Sequence, residues 1–166
     1  MRYKNSETEF GAVTKTFHWT VALIVISLLC VGLYMTGMPN TPDKFKIYGL
    51  HKSFGIIVLT LTFCRIVWHI ANRKPAAVAT LKASEKFLSA ALHNCLYVLV
   101  IAMPMTGWLM SSASNFPVSV FGLFTLPNLV PPSKELAATF RSLHENIGYL
   151  TMLAVALHAA AAFKHH

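Results

Sequence analysis

Six of the eight histidines, His18, His51, His69, His93, His144 and His158, fall in or at the ends of long apolar stretches. An ionisable side chain at membrane depth is costly and needs a partner. The spacing supplies one. His144 and His158 stand 14 residues apart, which on an α-helix is a rise of roughly 21 Å and a rotation about 40° short of four full turns. Both imidazoles therefore face one side at opposite membrane depths. The same step links His18 to Gly32, His51 to Arg65 and His93 to Gly107, so each helix offers one residue at each of two levels. Depth pairs His18 with His158 at one level and His51 with His144 at the other.

Paired imidazoles narrow the chemistry. A zinc site usually draws four ligands from a compact cluster, whereas each level here supplies two, with no cysteine or carboxylate of metal-ligand spacing beside them. Iron in a porphyrin needs only two axial ligands, and helix bundles hold haem in this way. Bis-histidine haem b is the better fit, and the lack of a C-x-x-C-H motif excludes covalent attachment of the c type. Six-coordinate iron has no open position for oxygen, which points to electron transfer. Glycine allows a flat macrocycle to approach the backbone closely. Gly32 and Gly107 lie one level away from a histidine on their own helices, and Gly55 and Gly148 follow His51 and His144 by one turn. Arg65 has two readings, neutralising a buried propionate or snorkelling to the interface. A haem-free transporter or scaffold, with histidines that relay protons or bind metal, is the less economical alternative.

The elements that must hold these residues follow from composition. Of 166 residues, 55% are hydrophobic and 12% charged, with a mean hydropathy of +0.54; a soluble domain carries about 25% charged residues. Four stretches approach the roughly 20 apolar residues needed to cross a bilayer core. A soluble enzyme is excluded, and no nucleic-acid partner is expected. The expected fold is all-α, a transmembrane four-helix bundle forming one domain over residues 1–166, with helices at about 14–36, 49–71, 86–111 and 142–163. Gly37 and the run Met38-Pro39-Asn40-Thr41-Pro42 break the first, Asn72 to Pro75 end the second, and Ser111 to Pro117 close the third. No small-residue cleavage site precedes Met38-Pro39, so the first stretch reads as a spanning helix and not a removed signal. Cys30, Cys64 and Cys95 each lie inside an apolar stretch and read as structural.

Four spans leave both termini on one side. Arg2, Lys4, Lys15, Arg73, Lys74, Lys82, Lys86 and Lys164 lie there, against Lys44, Lys46, Lys52, Lys134 and Arg141 opposite. The positive-inside rule thus puts both termini in the cytoplasm. The connection from Ser112 to Arg141 is long and apolar, and is expected to lie on the outer membrane surface or to fold over the bundle mouth. His69, beside Trp68, reads as an interfacial side chain. His165 and His166 follow Lys164 with almost no tail, as a truncated end or a short cytoplasmic one, and are assigned no chemistry.

The chain resembles the bacterial cytochrome b561 family and, more distantly, the b-type haem subunits of hydrogenases and formate dehydrogenases. The resemblance is carried by Thr16-Phe17-His18-Trp19, by Leu50-His51-Lys52-Ser53-Phe54-Gly55 with Arg65-Ile66-Val67-Trp68, by Leu92-His93 with Gly107-Trp108, by Val118-Ser119-Val120-Phe121-Gly122, and by Leu143-His144 with His158. It covers nearly the whole chain. It implies two haem b groups in a four-helix bundle of the bacterial inner membrane, passing electrons between a donor and the quinone pool. On this pattern His18 and His158 hold the inner haem, and His51 and His144 the outer one. His93 is left as a secondary contact that hydrogen-bonds a propionate, lines a quinone pocket or displaces a ligand.

Some relatives in this resemblance oxidise superoxide outside the inner membrane and reduce ubiquinone, which makes a superoxide:quinone oxidoreductase the leading expectation. The outer residues Lys44, Lys46, Lys52, Lys134 and Arg141, against Asp43, Glu135 and Glu145, would favour a small anion. Lys52 is expected near the outer haem edge, or else snorkelling. The alternative is a membrane anchor that relays electrons between a separate dehydrogenase or periplasmic carrier and the quinone pool. Lipid and quinone are the expected partners, with a redox protein and a second copy of the chain left open.

Overall fold

The computed structural model describes residues 2–76 and 82–164, and consists of four long helices joined by short connections and one longer loop. His165 and His166 lie outside the described residues. The helices are α1 (Ala12–Thr36), α2 (Pro42–Ala71), α3 (Ala83–Ala113) and α4 (Lys134–Lys164). Each is long and apolar enough to cross a membrane.

Two helices begin earlier than their apolar runs. In α2 the proline that reads as a break is the first helical residue, with Thr41 as the cap whose hydroxyl accepts the Lys44 N–H and Asp43 in the first turn. Proline is suited to that position because its missing N–H would be unpaired there anyway. In α4 the Ser133 hydroxyl accepts the Leu136 N–H at 3.3 Å, and Glu135 lies in the first turn. Residues 134–141 are therefore helix, and the connection expected over 112–141 shortens to 114–133.

That loop adds a small hairpin to an otherwise helical chain. Strands β1 (Ser119–Val120) and β2 (Phe124–Thr125) pair antiparallel, with Ser119 opposite Thr125. The turn between them needs left-handed backbone at Phe121 (φ 51°) and Gly122 (φ 75°), a conformation in which glycine is free of steric cost. Three successive residues of α2 tie this loop down. The Lys52 ammonium donates to Ser111 Oγ and to the carbonyls of Phe116 and Pro117; Ser53 Oγ accepts the Phe121 N–H; and Phe54 meets Phe121 edge to face. At the opposite end, Asn5 joins the start of α1 to the end of α2, accepting from the Gly11 N–H and Thr14 Oγ1 and donating to the Arg73 carbonyl.

The most deeply buried side chains are small and hydroxylic, and the exterior is large and apolar. Ser53, Thr62, Ser112 and Thr151 are at most 1% exposed, whereas Trp19, Phe63, Val67, Leu153 and Leu157 each exceed half exposure. This is the distribution a lipid-embedded bundle requires, because small side chains let helices approach where no hydrophobic effect drives them together. The buried hydroxyls of Ser53, Ser112 and Thr151 return hydrogen bonds to carbonyls of their own helices. Cys30, Cys64 and Cys95 are free and exposed on helix surfaces, so they contribute to the lipid-facing exterior and not to interior packing. Helix α2 packs against α1 and α3, and α3 against α4; among the described residues α4 makes no extended backbone contact with α1 or α2.

Candidate functional site

Histidines bridge the space that the backbones leave open. At the hairpin end, His51 on α2 faces His144 on α4 with ring centroids 6.4 Å apart and planes at 79°. At the end carrying the termini, His18 on α1 faces His158 on α4 at 6.0 Å and 63°. The 14-residue step on α4 thus delivers one imidazole to each level.

Local chemistry sets each ring. The carbonyl of Met103 lies 3.0 Å from His144 Nδ1, and Thr106 Oγ1 lies 3.2 Å from the same atom. Gly107 makes room for the ring, since a Cβ built there would sit 3.1 Å from His144 Cε1. His51 rests near Gly32, where a Cβ would lie 3.6 Å from its Cε1, and its Nδ1 is buried with no hydrogen-bond partner. Arg65 Nη2 is 3.4 Å from His18 Nδ1, its guanidinium lies 5.1 Å from the Tyr97 ring centroid, and its Nε is buried and unpartnered. His93 approaches His158 at 5.0 Å between centroids, with its Nδ1 2.7 Å from the Ser89 carbonyl. His69 stands edge-on to Tyr97 at 6.5 Å.

The two couples suit a metal held between axial imidazoles. Imidazole–metal bonds of about 2 Å on opposite faces of one ion place the two ring centroids roughly 6 Å apart, and the observed separations are 6.0 and 6.4 Å. Among the described residues no group of three or more His, Cys, Asp or Glu side chains is arranged to hold a bare ion. Two candidate ligands per level, a glycine beside each ring at the hairpin end, and a half-buried arginine whose buried Nε is unpartnered at the other end fit an anionic macrocycle better than a bare cation.

Three further expected residues stand at the edge of the couples. Gly55 and Gly148 adjoin α3, with built Cβ positions 4.0 Å from Pro104 Cβ and 3.6 Å from Met103 Cε respectively. Lys52 is turned to the loop and lies 4.0 Å from the Phe116 ring centroid. The spacing argument passed over Tyr97 and Thr106. Tyr97 lies one turn from His93, a helical neighbour that periodicity could have found; the Met103 carbonyl leaves no trace in residue type.

The sequence profile described as "Prokaryotic cytochrome b561" matches residues 9–166. The chain belongs to the prokaryotic cytochrome b561 family. Cytochromes b561 are membrane electron-transfer proteins that bind haem b, and four membrane-spanning helices make this a multi-pass bacterial membrane protein. Over 167 residues the chain is 28% identical to cytochrome b561 homolog 2 of Escherichia coli (strain K12), covering all of this chain and 89% of that one. It is 27% identical over 154 residues to cytochrome b561 homolog 1 of the same strain, with coverage of 90% and 85%. A protein of Yersinia pestis named "Probable superoxide oxidase CybB" is 27% identical over 149 residues, with coverage of 90% and 84%.

Proposed function

We propose that this cytochrome b561 is a di-haem oxidoreductase of the bacterial inner membrane that carries electrons from superoxide, on the outer side, to ubiquinone. The observation that carries this reading is the pair of imidazole couples at two depths, each with the centroid separation of an axial ligand pair. His51 and His144 would hold the outer haem, and His18 and His158 the inner one. When bound, haem supplies one-electron transfer at each level. The reaction balances as two superoxide anions each losing one electron to become dioxygen, while one quinone takes up two electrons and two protons to become the quinol.

The chain's own groups then have separate tasks. Arg65 places a fixed positive charge beside His18, and His93 presents a second polar edge beside His158. With both termini cytoplasmic, the hairpin end faces outward. Of its cations, Lys44 donates to the Met38 carbonyl, Lys46 pairs with Asp43 and Lys52 clamps the loop. That leaves Lys134 and Arg141, which line a shallow groove with Ser133, Ala137 and Glu145. Arg141 lies one turn before His144, so the attraction for a small anion is expected on this side of the mouth. The name of the Yersinia relative supports superoxide as the donor.

The test uses the purified, haem-loaded chain mixed with enzymatically generated superoxide and a soluble quinone analogue. Haem reduction followed by quinol formation is expected. No haem reduction refutes the donor. Co-purification of a stoichiometric soluble redox protein, with no activity of the lone chain, would favour the membrane-anchor alternative.

A further inference from the structure

The two histidines of the hairpin-end couple are held unequally. A backbone carbonyl can only accept a hydrogen bond. The ring nitrogen 3.0 Å from the Met103 carbonyl must therefore carry the proton, so His144 is the Nδ1–H tautomer. Thr106 Oγ1, 6% exposed as a residue, donates to the Ala102 or Met103 carbonyl and leaves its lone pairs for the same Nδ1–H at 3.2 Å. Had the proton been on Nε2, Nδ1 would confront a carbonyl lone pair at 3.0 Å. His51 has no such arrangement, because its Nδ1 is buried and unpartnered.

We infer that the Met103 carbonyl and the Thr106 hydroxyl are positioning groups that fix His144 with Nε2 as a free lone pair directed to the couple. The inference rests on the haem reading above for its consequence, but not for the tautomer itself. A hydrogen bond to the far nitrogen of a ligating imidazole orients the ring and raises its basicity, and losing it typically weakens metal binding about 10- to 100-fold. Thr106 thereby joins His144 as a determinant of the hairpin-end site, acting through the imidazole and not as a ligand. Gly107, the next residue, allows the ring to reach this seat. The α3 segment 103–107 thus presents a carbonyl, a hydroxyl and a gap on one face, without a ligand of its own.

The test compares Thr106→Val with Thr106→Ser in the full chain. Valine keeps the shape and removes the hydroxyl, while serine restores it. In the haem-loaded protein, Thr106→Val is expected to weaken one haem site about 10-fold and to raise its midpoint potential, with the other site unmoved, and Thr106→Ser to return both values towards wild type. Unchanged potentials in both variants, or equal changes in the two, overturn the inference. Nitrogen-15 spectra of histidine-labelled protein without added haem give a second reading. The wild type is expected to show His144 protonated at Nδ1, and an Nε2–H signal overturns the assignment. A wild-type chain that never binds haem removes the haem reading instead, while the nitrogen spectrum still decides the tautomer.

Discussion

Gly107→Ala should damage one haem site and spare the other, by an amount that the geometry bounds. The new Cβ would lie 3.1 Å from His144 Cε1 and 3.4 Å from its Nδ1. Carbon atoms prefer about 3.5–4.0 Å, so the ring must retreat by roughly half an ångström or turn. Either motion strains the Nδ1–H bond to the Met103 carbonyl, and losing that support of a ligating imidazole weakens metal binding about 10-fold or more. Glycine-to-alanine changes inside a helix also stabilise by roughly 0.5–1 kcal/mol. Gly49→Ala corrects for that, because nothing lies within 4 Å of a Cβ built at Gly49. The assay is an optical haem titration of wild type and both variants. Gly107→Ala should show one weakened site, Gly49→Ala none, and the second site should hold its affinity because His158 lies roughly 21 Å along α4 from His144. If Gly107→Ala and Gly49→Ala titrate alike, the proposed seat for His144 is wrong.

Other perturbations separate the two levels. His51→Ala or His144→Ala should reduce the haem content from two per chain to one, and His18→Ala or His158→Ala should remove the other; spectra in which both classes lose the same haem would contradict the depth pairing. Arg65→Leu should lower the midpoint potential of the His18–His158 site by on the order of 50 mV, because a positive charge favours the reduced iron, and an unmoved potential in a redox titration would count against that role. Lys52→Met deprives Ser111 Oγ and two loop carbonyls of their cationic donor, with a cost of roughly 1.5 kcal/mol or more. Amide exchange across residues 114–133 should then quicken about tenfold, and exchange at the wild-type rate would show that the clamp is not needed.

Apolar length alone made the four spans legible, because a bilayer demands long runs that little else in a sequence resembles. The histidine couples were legible for a related reason. A 14-residue step nearly closes a whole number of turns, so depth and face can be read without tertiary information. Helix starts were harder. Pro42 carries the same letter whether it ends one element or opens the next, and only the Thr41 cap and the first-turn Asp43 decide it. Residues 134–141 are too charged to read as membrane helix, and the backbone continues through them because Ser133 caps the start. Lys52 shows another limit. Its grip on the loop has no trace in the sequence, because the Phe116 and Pro117 carbonyls that it holds lie 64 and 65 residues further on. Hydrogen bonds to backbone, such as that of Met103, have no signature in residue type at all.

The division of the bundle bears on how the protein is made. Among the described residues α4 packs chiefly along α3, and its His158 and His144 meet His18 of α1 and His51 of α2. A prosthetic group seated in each couple would close the bundle by tying α4 to α1 and α2, and a ligand that binds only the assembled form stabilises it by mass action. Cells starved of iron or porphyrin should therefore hold less of this polypeptide, cleared by membrane proteases before the bundle closes, and not a store of empty protein awaiting supply.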